Sequence, residues 1–211
     1  MHAHAETVVL LSGLWLPPWS LTLLKRRLTV CGFEVRVIHY RSVRANLAEN
    51  AHALQAQLAA IPADTVHFVG YSLGGVLIRA LFEHHPRQRP GRIVTLATPH
   101  LGSQAASRLV RSHWGRRLLG RSVGDIVEGA TRALTPPARD FGSLAGTGGL
   151  GLGRWVARLP APHDGTVALV ETQLPGATDT VALPVSHASM LFSGAVARQI
   201  CHFLKTGRFS R

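Results

Sequence analysis

In "VHFVGYSLGGVLIRALFEHH", residues 66–85, an apolar run passes through a glycine-bracketed serine into a helical pattern. No other stretch restricts the fold as much. A strand must turn into a helix within a few residues, with Ser72 at the apex of the turn. Such a turn lifts the serine hydroxyl clear of the sheet and strains its backbone. The positions two before and two after it must then be almost bare, or their Cβ atoms collide. Gly70 and Gly74 occupy those positions, and Gly75 lets the helix pack closely. Glycine in a helix costs about 1 kcal/mol relative to alanine, so its placement here answers a steric demand.

The rest of the chain agrees with that demand. Residues 7–12 ("TVVLLS"), 33–40 ("FEVRVIHY"), 65–70 ("TVHFVG") and 92–97 ("RIVTLA") read as strands, and helical patterns over 20–30, 46–61 and 73–84 separate them. Alternation of this kind predicts βαβ units, hence a parallel sheet with helices on both faces. Residues 98–153 break the rhythm. Two weakly amphipathic pieces (103–119 and 122–134), Pro136-Pro137 and the run "GTGGLGLG" are expected to form a cap-like insertion, with its glycines as a hinge. Two further strands are expected at 154–159 and 178–185, and a last helix at 188–204. No linker or repeat divides the chain, so residues 1–211 are expected to form one domain.

Ligands on parallel sheets sit at the carboxyl ends of the strands, which is where Ser72 stands. A serine hydroxyl needs a base, and the base needs an acid to orient it. In such a sheet both follow the serine in sequence, acid before histidine. "PHDGTV" supplies Asp164 and "PVSHASM" supplies His187, each in a loop after a predicted strand. His202 competes from inside the final helix; Asp140, Glu171 and Asp179 compete as acids. Developing negative charge would be met by the N–H of Leu73, at the helix start, and by that of Leu14 in "SGLW". Trp15, Tyr71 and Met190, beside these positions, are the expected substrate contacts.

Assembled in this way, "LLSGLW", "VGYSLGG", "TLATPHLGS", "DGTV" and "VSHASML" resemble the α/β-hydrolases, in particular their small bacterial lipase and esterase branch. "TPHLG" and "DGTV" are similar to pieces of triacylglycerol lipases and GPI inositol-deacylase-like esterases. The resemblance implies a reduced fold of about six mostly parallel strands with a helical cap, and a triad of Ser72, Asp164 and His187. It also implies ester cleavage through an acyl-enzyme. Acyl transfer, thioester cleavage and a non-catalytic binding role remain as alternatives. Ser12-Gly13 stands where such enzymes often carry His-Gly.

Other signals exclude more than they suggest. Gly146–Gly151 matches G-x-G-x-x-G, but without a strand before it and a helix after it no dinucleotide site is expected. His2, His4, His84 and His85 lack partners at ligand spacing, so neither metal nor cofactor is expected; His100 reads as structural. The two cysteines, Cys31 and Cys201, read as small buried apolar side chains. The formal charge of +12 favours anionic partners. An arginine-rich stretch over 108–121, with Val110, Trp114 and Leu118 on one helical stripe, suits peripheral contact with anionic membrane or a cap packed on the core. Nucleic acid is not expected. With no basic start and a Pro17-Pro18 break in its first apolar run, the chain reads as cytoplasmic.

Overall fold

The computed structural model describes residues 6–127, 134–149 and 159–211. Six strands form one sheet: β1 (Thr7–Leu11), β2 (Glu34–Ile38), β3 (Val66–Tyr71), β4 (Ile93–Leu96), β5 (Phe141–Gly146) and β6 (Asp179–Leu183). Their order is β2-β1-β3-β4-β5-β6, and every neighbouring pair is parallel. The inner strands β1, β3, β4 and β5 are buried throughout, whereas the edge strands β2 and β6 alternate. That contrast is what helices on both faces of a parallel sheet produce.

The pleat of β1 divides the core in two. Val9 and Leu11 pack with Leu54 and Leu58 of α2 (Leu47–Ala59) and with Val76 and Leu77 of α3 (Leu73–His84). Val8 and Leu10 pack on the other face with Leu24 and Leu28 of α1 (Thr22–Val30). The last helix, Gly194–Thr206, adds Val196, Ile200 and Phe203 to that second layer. A capping box starts α2: Glu49 N–H donates to Asn46 Oδ1 at 2.8 Å, and Asn46 N–H to Glu49 Oε2 at 3.0 Å.

Three expectations are corrected. The stretch expected to cap the site contains the inner strand β5. Its Gly142, Ser143, Ala145 and Gly146 carry little strand propensity. They are selected by crowding: a Cβ at Gly142 would lie 2.8 Å from the Phe203 and Phe209 rings. The connection from β4 therefore ends before Phe141, and the strand expected at 154–159 falls, apart from Leu159, outside the described residues. Second, Cys31 and Cys201 are joined in a disulfide, their Cα atoms 6.2 Å apart across 170 residues of sequence. They meet because α1 and the last helix lie side by side on one face of the sheet, a proximity no local pattern reports.

Third, the arginine-rich stretch is not one helix. It breaks after α4 (Gln104–Leu109) and resumes as α5 (His113–Val127), which kinks at Gly120 (φ 75°, ψ −175°). A Cβ at Gly120 would lie 2.4 Å from the Val43 carbonyl, which also accepts the Arg121 N–H at 2.9 Å. Beyond the kink the cap is clamped to α2. Arg121 reaches both carboxylate oxygens of Glu49 at 3.0 and 3.1 Å, and Asp125 accepts the Leu47 N–H at 2.7 Å. The piece expected to run on to residue 134 passes through 128–133, outside the described residues.

Candidate active site

The site is built at the carboxyl edge of the sheet. At the end of β3, Ser72 adopts φ 53° and ψ −119°, a conformation that costs a residue with a side chain about 1–3 kcal/mol. Its neighbours hold it there. Ser72 N–H donates to Leu96 O at 2.8 Å, while Ser72 O accepts from the Thr98 hydroxyl at 3.0 Å and the Gly75 N–H at 3.1 Å. The flanking glycines are sterically required. A Cβ on Gly70 would lie 2.6 Å from Gly75, one on Gly74 would lie 2.6 Å from Leu11 O, and one on Gly75 would lie 2.1 Å from Thr98 Oγ1.

Asp164 and His187 come together although 23 residues separate them. His187 Nδ1 lies 2.6 Å from Asp164 Oδ2, and the His187 N–H donates to Asp164 O at 2.8 Å. A carboxylate can only accept, so the imidazole proton sits on Nδ1 and the Nε2 lone pair is left for a proton. Asp164 is 1% exposed, and its other oxygen accepts the N–H groups of Thr166 (2.8 Å) and Val167 (2.7 Å). This Asx turn is the local reason for "DGTV". Of the glycines expected to be a hinge, Gly146 and Gly148 have a different task, and Gly151 and Gly153 lie outside the described residues. A Cβ on Gly146 would lie 2.8 Å from Asp164 Cβ, and one on Gly148 would lie 2.7 Å from Ser186 N. They let the acid and histidine loops close on the end of β5.

Tyr71 holds the histidine from beneath. Its hydroxyl donates to His187 O at 2.9 Å, and the two rings lie 4.9 Å apart between centroids. Burial, with the charge of Asp164 close by, pushes the phenol above its ordinary range and keeps it a neutral donor. The competing side chains are engaged elsewhere. Asp140 and Asp179 lie at the amino ends of β5 and β6, on the far edge of the sheet. Asp140 pairs with Arg92 at 2.9 Å, and Asp179 with Arg211 at 2.7 Å. His202 is on the exposed side of the last helix. His100 is wholly buried against Thr95 Oγ1 at 3.0 Å, and burial pushes it down to about 3, which suits a structural role.

Ser72 and His187 line one cavity of about 370 Å³. Leu14, Trp15, Tyr71 and Leu73 line it too, and α4 and α5 roof it with Ala106, Leu109, Leu119, Val123 and Ile126. Leu73 is the first residue of α3, so the helix itself cannot use its N–H. The loop carrying Leu14 is braced by Tyr40, whose hydroxyl donates to Ser12 O at 2.8 Å, and by Ser12 Oγ, which donates to Leu16 O at 3.3 Å. These contacts support the Ser12-Gly13 turn. Met190, expected at the substrate, is instead fully buried in the core layer beneath the last helix, because the 3-10 turn Ser189–Phe192 points it inward.

One residue passed over as a rival acid proves central to the architecture. Glu171 is buried, with Oε1 accepting the Gln104 N–H at 2.7 Å and Oε2 the Ala168 N–H at 2.9 Å. It thus ties the first residue of α4 to the loop carrying Asp164. Burial raises its carboxyl above the ordinary value, against the lowering by those two N–H groups. Glu171→Gln keeps the shape but turns an amide donor towards one of the two N–H groups. It should lower stability by about 1–3 kcal/mol, the cost of a buried unsatisfied donor, in urea unfolding monitored by tryptophan fluorescence. An unchanged midpoint would show that the tie between cap and acid loop carries no weight.

A parallel sheet in the order 2-1-3-4-5-6, a strained serine after β3, an acid after β5 and a histidine after β6 define a class: the chain is an α/β-hydrolase by fold. A family model described as palmitoyl protein thioesterase matches residues 28–132, just under half of the chain. No curated protein matches. Among solved structures the chain is similar to the mature form of the Bacillus licheniformis lipase BlEst2. The TM-score is 0.80 at 21% identity, over 98% of this chain and 93% of that one. The propeptide form of that lipase gives the same TM-score and identity, over 100% of this chain and 52% of that one. A metagenomic carboxyl esterase, MGS0156, follows with a TM-score of 0.71 at 20% identity, over 90% of this chain and 66% of that one. These likenesses are of fold.

Proposed function

We propose that the protein is a serine hydrolase of carboxylic esters with an apolar acyl group, acting through Ser72, His187 and Asp164. The observation that carries this reading is the strained Ser72 and the Asp164-bound His187 facing one apolar cavity. His187 Nε2 takes the Ser72 proton as Oγ attacks the acyl carbonyl. The N–H groups of Leu73 and Leu14 receive the charge on the carbonyl oxygen, worth about 3–4 kcal/mol of barrier for each donor. His187 then passes the proton to the leaving alcohol, and water, deprotonated by the same nitrogen, releases the acid. Trp15 and Tyr71 contact the substrate, and the acyl chain lies beneath α4 and α5. No step calls for a cofactor.

The match over residues 28–132 favours a second reading at the same site, in which the leaving group is a thiol. No described helix is long and apolar enough to cross a membrane. The Cys31–Cys201 bridge supports work in an oxidising compartment rather than the cytoplasm, where such bonds are kept reduced.

Two measurements test the proposal. A fluorophosphonate should label Ser72, and labelling at another serine, or none, would remove the nucleophile and favour a non-catalytic binding role. Across p-nitrophenyl esters, kcat/KM should rise about fourfold per CH2, the value of one buried methylene, until the cavity fills. A flat series would exclude an apolar acyl site. Faster turnover of an acyl thioester than of its oxygen ester would select the thioesterase reading. Product transferred to an added alcohol in preference to water would select acyl transfer.

A further inference from the structure

Among the described residues, five of the eight large apolar side chains left exposed lie on the segments around the cavity mouth; Leu23, Val30 and Val170 are the other three. Trp15 and Trp19 (75% exposed) follow the carboxyl end of β1, and Phe192 follows the His187 loop. Trp114 (80% exposed) and Leu118, four residues apart and so on one side of α5, project from the roof. Two sets of contacts hold these segments in place. Trp15 Nε1 donates to Leu118 O at 3.1 Å. Trp19 O accepts the hydroxyl of Thr22, the first residue of α1, at 2.7 Å. From α1, Arg27 donates to Phe192 O at 2.7 Å. An apolar surface of this kind is rare on a protein whose only neighbour is water.

Charge indicates what covers it. The segments that carry these side chains, residues 14–27, 109–124 and 186–198, hold none of the chain's 11 acidic residues. Lys25 and Arg26 on α1, with Arg111 and Arg117 around the start of α5, are exposed beside the aromatic side chains. Of the described acids near the cap, Glu49 pairs with Arg121, while Asp125 and Glu171 accept backbone N–H groups and Glu171 is buried. Tryptophan and phenylalanine flanked by exposed cations match the headgroup layer of an anionic bilayer, where indole rings settle and basic side chains meet phosphate.

We propose that this rim docks the protein on an anionic phospholipid surface, with the mouth of the cavity facing the lipid. The proposal rests on the reading of the cavity as the acyl site only for its purpose, since docking itself needs no chemistry. Arg121 takes no part, because Glu49 holds it within the cap. The insertion is made by Trp19, Trp114 and Phe192, and the attraction by Lys25, Arg26, Arg111 and Arg117.

Binding is measured by cosedimentation of the Ser72→Ala protein, which cannot degrade the vesicles, with phosphatidylcholine vesicles containing phosphatidylglycerol or none. Binding to the anionic vesicles should be at least tenfold tighter and should weaken as salt rises, because the charges are screened. Trp19→Gln/Trp114→Gln/Phe192→Gln should weaken it at least tenfold. The same three changes in the Ser72 protein should leave hydrolysis of p-nitrophenyl butyrate and the thermal midpoint unchanged, which excludes misfolding as the cause. Equal binding to both vesicle types, binding to neither, or full binding by the triple variant would each overturn the docking surface. Vesicle binding by a protein that hydrolyses no ester would overturn the proposed function and leave the docking surface standing.

Discussion

Ser72→Ala should lower kcat on p-nitrophenyl butyrate by about 10⁴–10⁶ with little change in KM, and His187→Ala should do the same. The two together should cost no more than either alone, because attack by Oγ and proton removal by Nε2 are one event. Asp164→Asn should cost about 10⁴. Its amide oxygen is claimed by the Thr166 and Val167 N–H groups, so the NH2 turns towards Nδ1 and donates, and the ring loses the tautomer that leaves Nε2 free. His202→Ala, on the exposed side of the last helix, should keep full activity. Steady-state kinetics on the four purified variants decide the matter. Loss of activity in His202→Ala with retention in His187→Ala would reassign the base.

Removing the disulfide should have the largest effect on stability. The bond joins the end of α1 to the last helix across 170 residues, and its loss frees a long loop in the unfolded chain. Bridges over loops of this size contribute about 3–5 kcal/mol. In a chain of this length that corresponds to roughly 6–20 °C of thermal midpoint. Cys31→Ser/Cys201→Ser should show this drop by calorimetry yet keep the Ser72 labelling of the folded protein, since both cysteines lie on the face behind the site. Protein prepared without reductant should also show no reactive thiol when denatured. Two reactive thiols there, or an unchanged midpoint in the double variant, would exclude a structural bridge.

Fold and activity stand on different ground here. The comparisons, at 20–21% identity for the structures named, speak to the fold. The proposed triad rests on geometry internal to this chain: a serine held at positive φ by Leu96, Thr98 and its glycines, and an imidazole fixed by Asp164 on one side and Tyr71 beneath. Tyr71 and Thr98 hold the backbone of two proposed catalytic residues, His187 and Ser72. Either could have been suspected only from adjacency to the motif, because a hydroxyl aimed at a carbonyl leaves no pattern in a sequence.

Where chemistry imposes a local rule, the sequence alone was sufficient. A sharp strand-to-helix turn admits only glycine at positions 70 and 74, so Ser72 was legible. Apolar strands alternating with amphipathic helices require a parallel sheet, so the carboxyl edge was legible as the site, and Asp164 and His187 as loops arriving there. The misreadings share one cause, which is that the missing information lay in another part of the chain. Strand β5, built of "FGSLAG", looks irregular until Phe203 and Phe209 press against Gly142. Gly146 and Gly148 look like a hinge until the loops of Asp164 and Val185 close over them. Met190 faces the core because a single 3-10 turn rotates it there, and Cys31 finds Cys201 only once two helices distant in sequence lie side by side. Local sterics and hydrophobic period are written residue by residue, so the sequence determined the strand-to-helix turn, the sheet and the order in which the candidate residues Ser72, Asp164 and His187 arrive at one edge. Close approach, disulfide pairing and the gathering of aromatic side chains round one mouth are properties of distances between segments, and only the tertiary structure decided them.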